Sequence, residues 1–169
     1  MNYKFVDMKT KILFGLFLII LISCDEEESK PSDEFTLSSS QYKGFLFEEM
    51  QIISFSNTND SNPDFVVLAQ TDENGDIASP FLTHPELERR FYLSNSFDNY
   101  EKALSSYNNF EIPENYHLIQ SALNIEPNQI WLIKTNSEKF GVVLIKSTEY
   151  NKDNDTPYAE ATFKAKKIN

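Results

Sequence analysis

The residues able to do chemistry are few and scattered. His84 and His117 are the only histidines, and a pair of imidazoles could ligate a haem or a metal. Their spacing does not require it, and the simpler reading makes His84 a helix-start residue ahead of Pro85 and His117 a partly exposed helix residue. Asp72-Glu73-Asn74-Gly75-Asp76 sets oxygen ligands at alternate positions. In an EF-hand loop, however, glycine is sixth and glutamate twelfth, whereas Gly75 is fourth and Thr83 stands twelfth. A hairpin turn is the better expectation there. Arg89-Arg90 are the only arginines and could hold a carboxylate, although pairing with a neighbour such as Glu86 is preferred. Trp131 could stack on a sugar or a porphyrin, but a single tryptophan is more often packing. Met50 is read as core. No nucleophile elbow, zinc-protease helix motif or phosphate-binding glycine loop is present. A small paired-carboxylate hydrolase is therefore only a third reading, and no catalytic residue or metal ligand is assigned.

The remaining reactive group is Cys24, the single cysteine, and its position decides how it is read. It follows a short segment carrying Lys4, Lys9 and Lys11, then an uncharged run of eleven residues, Ile12 to Ile22, and then Ser23. Basic start, apolar run and small residue before the cut are the parts of a signal peptide. A spanning helix needs roughly 20 apolar residues, so this run is too short for one. Met8-Lys9-Thr10-Lys11 offers an alternative start.

Leu21-Ile22-Ser23-Cys24 resembles the lipobox of bacterial lipoproteins. The resemblance implies cleavage between Ser23 and Cys24 and diacylation of the Cys24 sulfur. Two acyl chains suffice for stable anchoring, at about 0.8 kcal/mol per buried CH₂. Asp25, Glu26, Glu27 and Glu28 follow at once, and an acidic run in this place resembles the surface-export signal of Bacteroidetes lipoproteins. The chain is thus expected to be exported, anchored to the outer membrane by lipid and displayed on the cell surface. A periplasm-facing orientation is the alternative, since in enterobacteria an aspartate directly behind the cysteine marks inner-membrane retention. With one cysteine no intramolecular disulfide can form, although an exported compartment would permit it.

Net charge is −11, and it becomes more negative once residues 1–23, with three lysines and one aspartate, are removed. Such a surface repels phosphate backbones, which argues against a nucleic-acid partner. Residues 25–34 contain no apolar side chain to offset ordering entropy. The expected organisation is a signal peptide at 1–23, a lipidated cysteine and acidic tether at 24–40, and one globular domain at 41–169.

Within that domain strand signals gather at both ends. Gly44 to Ser56, Asp64 to Gln70 and Ile77 to Leu82 read as strands, the last two joined by the Asn-Gly turn. Ile130 to Thr135 and Phe140 to Thr148 form the clearest hairpin, and Tyr158 to Lys166 alternates as a half-buried strand, expected at an edge. The middle reads as helical: a start at Thr83-His84-Pro85-Glu86 with Leu87 and Phe91 on one face, a second helix through Phe97, Tyr100, Ala103, Leu104 and Tyr107 capped by Ser96 or Asp98, and a short helix within Pro113 to Asn124. That last segment also suits a strand. The order favours an α+β domain, mainly antiparallel, with two or three short helices in the middle of the chain. An all-β sandwich is the alternative.

Gln129 to Ile145, a strand, a Thr135-to-Phe140 turn and a second strand, resembles the C-terminal hairpin of HmuY-like lipoproteins, a β-rich family that includes haem scavengers. Glu138 stands where that motif has glycine and Phe140 where it has tyrosine. The resemblance implies a β-rich lipoprotein domain and, as an alternative function, carriage of haem or another small ligand, for which His84 and His117 are the candidate ligands. The leading expectation is a non-enzymatic binding domain for an envelope or extracellular partner, without a cofactor.

Overall fold

Alternation of apolar and polar side chains, carried further along the chain than the sequence alone suggests, produces ten strands and one helix among the described residues. The computed structural model describes residues 33–54, 62–152 and 157–168. The strands are β1 Glu34–Ser38, β2 Lys43–Leu46, β3 Gln51–Ser54, β4 Phe65–Thr71, β5 Ile77–Thr83, β6 Phe91–Ser96, β7 Ser121–Ala122, β8 Gln129–Lys134, β9 Phe140–Asn151 and β10 Tyr158–Ile168. The helix α1, Tyr100–Asn108, lies between β6 and β7. No helix among the described residues is long and apolar enough to cross a membrane.

Two five-stranded antiparallel sheets result, in the order β1-β10-β9-β8-β6 and β3-β2-β4-β5-β7. Their inner faces share one core, to which the first contributes Leu37, Trp131, Ile133, Val143, Ile145 and Phe163, and the second Phe45, Phe65, Val67 and Leu82. The α+β expectation is therefore corrected to its alternative, an all-β sandwich, with one nine-residue helix among the described residues. That helix covers the outer face of the first sheet, where Ala103 and Tyr107 pack on Ile130, Val142 and Leu144.

Each misplaced helix has a physical cause. At residues 83–91 the local capping signals lose to burial: Thr83 ends β5, Leu87 takes a left-handed φ of 57° incompatible with a continuing helix, and Phe91 is drawn into β6 opposite Ile133 at 0% exposure. His84 and the Thr83-to-Glu86 motif thus occupy a strand end and a turn. In the segment 113–124 the strand period prevails. Ile119 bridges to Phe91 and β7 pairs with the end of β5, which buries Ala122 and leaves Leu123 exposed. His117 accordingly lies in a loop rather than a helix.

The second expected helix does form, but it starts later. Asn99 is its N-cap, accepting the Lys102 N–H on Oδ1 at 3.0 Å in place of Ser96 or Asp98. Its last turn contains no basic residue, and Lys166 of β10 serves instead, donating to the Asn108 carbonyl at 3.0 Å with its ammonium 4.8 Å from the Tyr107 ring centroid. Burial pushes the Lys166 pKa down and, chiefly by the same desolvation, the Tyr107 pKa up.

Two boundaries also move. β10 is not an edge strand, because β1 pairs along its outer side from Glu34↔Lys164 to Ser38↔Glu160. The sandwich therefore includes Glu34–Ser38, inside the segment assigned to the tether and before Gln41, since Phe35 and Leu37 alternate with Glu34 and Thr36 and turn inward. Met50 lies between β2 and β3 with φ of 52°, half-buried against the core rather than within a strand. The Asn-Gly turn between β4 and β5 forms as expected, with Gly75 at φ of 86°.

Candidate functional site

Three turns meet at one end of the sandwich, and polar side chains tie them together. Asp64, just before β4 and 1% exposed, accepts the Phe47 N–H on one carboxylate oxygen at 2.7 Å and the Asn136 N–H on the other at 2.6 Å. Asn136, in the β8–β9 turn, donates its amide to the Asn62 carbonyl at 2.9 Å. Its amide oxygen lies 2.9 Å from Nε2 of His84, while the Glu86 N–H donates to Nδ1 of the same ring at 3.2 Å. Nδ1 is thus an acceptor, so the ring proton sits on Nε2 and is given to Asn136. Arg90, also buried, donates to the Thr135 carbonyl at 2.5 Å and pairs with Glu88 rather than Glu86. In the same turn Glu138 takes a left-handed φ of 63°, and its carboxyl is held below its ordinary pKa by the hydrogen bond from Lys134.

This network binds turns to one another and leaves neither nitrogen of His84 free to act as a ligand. The cleft beside it is lined by Leu46, Glu48, Glu49, Asn62, His84, Glu86 and Asn136. His117 belongs to a different cleft, formed with Tyr92, Glu114, Asn115 and Tyr116. The two histidines, candidates for a ligand pair, line different clefts. We predict that His84→Ala lowers stability by about 1–3 kcal/mol through the orphaned Asn136 and Glu86 groups. In a haem titration followed at the Soret band it should leave the spectrum of the wild-type chain unchanged. A Soret complex lost in this variant would restore the haem reading.

A third cleft, of about 320 Å³, is lined by residues that include Phe47, Thr135, Lys139, Phe140 and Lys167. Phe47 reaches it across Gly141, where a Cβ would fall 2.2 Å from the ring. Trp131 is buried, and its indole N–H donates to the Gln129 side chain at 3.0 Å. In the Asp72-to-Asp76 loop, Oδ1 of Asp72 accepts the Asn74 and Asp76 N–H groups at 2.9 and 3.0 Å, closing a turn on itself. Among the described residues no three His, Cys, Asp or Glu side chains are grouped as for a metal. Ser23, Cys24 and Asp25, Glu26, Glu27 and Glu28 lie outside the described residues.

Local pairing explains the composition of the cleft at His117. Tyr92 is in register with Leu132, and Leu132 with Val142, which lies on the outer face beneath α1. Tyr92 therefore emerges on that face as well. The chain leaving α1 returns across it, and the Tyr116 ring settles between Tyr92, at a centroid distance of 6.2 Å, and Phe140, at 5.6 Å and 78°. Tyr116 nonetheless stays 40% exposed. Sequence reasoning missed Asp64, Asn136, Tyr92 and Tyr116. Asn62-Pro63-Asp64 signals a turn, yet nothing in its neighbourhood reveals a carboxylate aimed at a turn more than seventy positions later. Comparison of the chain with protein-family models, with curated proteins and with solved structures gave no match.

Proposed function

We propose that this chain is a lipid-anchored envelope protein whose β-sandwich is a non-enzymatic binding domain held at the outer face of the outer membrane. The observation that carries the reading is Leu21-Ile22-Ser23-Cys24 placed directly behind a basic start and an uncharged run. Diacylation of Cys24 makes attachment stable without a spanning helix. The acidic run behind Cys24 supports display at the surface. Within the domain, Asp64, His84 and Arg90 spend their polar atoms on tying turns together, an arrangement suited to a rigid scaffold. The loops and clefts of that scaffold are where a partner can be met.

Cells expressing the chain and fed radiolabelled palmitate test the anchor. Label should enter the wild-type protein, and Cys24→Ala should abolish it entirely and accumulate the uncleaved precursor. Protease added to the same intact cells should remove the domain while periplasmic controls survive. Equal labelling of the variant would refute lipidation at Cys24, and protection until the outer membrane is opened would place the domain on the periplasmic side.

A further inference from the structure

We infer that the cleft formed by Tyr92 and the loop Glu114–His117 binds a neutral carbohydrate, an inference that rests on reading the sandwich as a binding domain and names its ligand class. The cleft combines two kinds of group that sugars require together. Tyr116 is 40% exposed, with the Phe140 ring edge-on to it and the Tyr92 ring tilted beside it, so its ring is positioned by two neighbours without a ligand. The cleft is lined by Glu114, Asn115 and His117 with the two tyrosines, side chains that carry a carboxylate, a carboxamide, an imidazole and two phenol hydroxyls. None of these five side-chain polar groups has a hydrogen-bond partner among the described residues, in contrast to His84, whose ring is bonded at both nitrogens. Vicinal hydroxyls are donors and acceptors at once, and they match a set that holds both kinds of group. The apolar face of a pyranose, in turn, lies against a ring as any amphipathic surface does.

Charge narrows the class further. Glu114 lies in the cleft, and the whole chain carries a net charge of −11, so uronic acids and sulfated sugars are repelled. A protein partner fits less well. The fully buried centre of a protein interface is depleted of charged groups, whereas every residue lining this cleft carries a polar atom and one is a carboxylate. The exposed aliphatics Ile112, Ile119 and Leu123 do not line it.

The test uses the full mature chain in detergent, titrated with neutral hexasaccharides of glucose, xylose, mannose and N-acetylglucosamine and with a polygalacturonate hexamer, followed by amide NMR shifts. At least one neutral hexasaccharide should bind with shifts centred on residues 92 and 114–117, and the galacturonate should not. Tyr116→Ala should weaken binding at least about tenfold, the loss of a stacking ring. Asn115→Ala and His117→Ala, both exposed and without internal partners, test the same site independently of folding, and each should weaken binding several-fold. Tyr42→Ala, at an exposed tyrosine outside this cleft, should change nothing. Absence of binding across the neutral panel, preference for the galacturonate, or affinity unaltered in both Asn115→Ala and His117→Ala would overturn the inference, as would capture of a protein partner through this cleft without any sugar binding. Acylated protein that binds no sugar fails this inference alone, whereas protein that binds sugar but takes up no palmitate fails the anchor reading alone.

Discussion

Asp64→Ala should cost the domain about 3–6 kcal/mol, since hydrogen bonds to a charged group contribute about 1.5–3 kcal/mol each and two are lost together. The carboxylate is buried, and it alone receives the Phe47 and Asn136 N–H groups, at 2.7 and 2.6 Å. Removing it orphans the buried Phe47 N–H, which water reaches poorly, and takes from the exposed β8–β9 turn the bond that ties Asn136 to it. The turn after β2 and the β8–β9 turn should loosen together, so amide exchange ought to accelerate at both in the variant. Asp64→Asn keeps one acceptor oxygen and belongs between the alanine variant and wild type. Because Asn136 shares the network, Asn136→Ala combined with Asp64→Ala should cost less than the two single losses added. Urea denaturation measures all of these. A loss below about 1 kcal/mol for Asp64→Ala would mean that the turns are held by backbone pairing alone.

An effect of similar size is expected at Phe45, where truncation to alanine should remove about 3–5 kcal/mol. Four rings surround it, with centroids of Phe35 at 4.7 Å, Phe47 at 5.0 Å, Phe163 at 5.4 Å and Phe65 at 5.5 Å; Phe35 and Phe163 belong to the first sheet, Phe65 to the second and Phe47 to the turn after β2. Phe45 is fully buried, so alanine leaves a cavity that neighbours on two separate sheets cannot both move to fill. Total stability of a domain of this size is about 5–15 kcal/mol, and no disulfide is available to reinforce it. The alanine variant should therefore melt much earlier and populate unfolded chain near ambient temperature. Phe45→Leu should retain a large part of the stability. Equal melting temperatures for Phe45→Ala and wild type would show that the two sheets are not joined through this residue.

Elements whose evidence is local were the legible ones. The β8–β9 hairpin was expected at Ile130 to Thr135 and Phe140 to Thr148 and forms at Gln129–Lys134 and Phe140–Asn151. β4, β5 and the Gly75 turn between them follow the expected pattern, and the alternation of Ala159, Ala161, Phe163 and Ala165 against polar neighbours is present in β10. The middle of the chain misled because its local signals are genuine but weak. Capping at Thr83 is worth about 1 kcal/mol, whereas full burial of a side chain such as Phe91 contributes about 1.5–3 kcal/mol. The larger quantity depends on β8, roughly forty residues away in the sequence. β1 was missed for the complementary reason: five residues with two inward side chains are too few to stand out beside an acidic stretch, and their partner strand is the last in the chain.

The candidate sites divide along the same line. Sequence alone determined the residues whose meaning is positional along the chain: the Leu21-to-Cys24 motif that underlies the proposed anchor, the acidic character of the surface, and the turn at Gly75. Tertiary structure alone decided that His84 and His117 line separate clefts, that Asp64 fastens two turns, and that Tyr116 comes to rest between Tyr92 and Phe140. Signal and turn motifs act through contiguous residues, so their physics is written within a few positions. A cleft is made by residues from separate strands and loops, and only the pairing of those strands, fixed by burial of a shared core, determines which side chains meet.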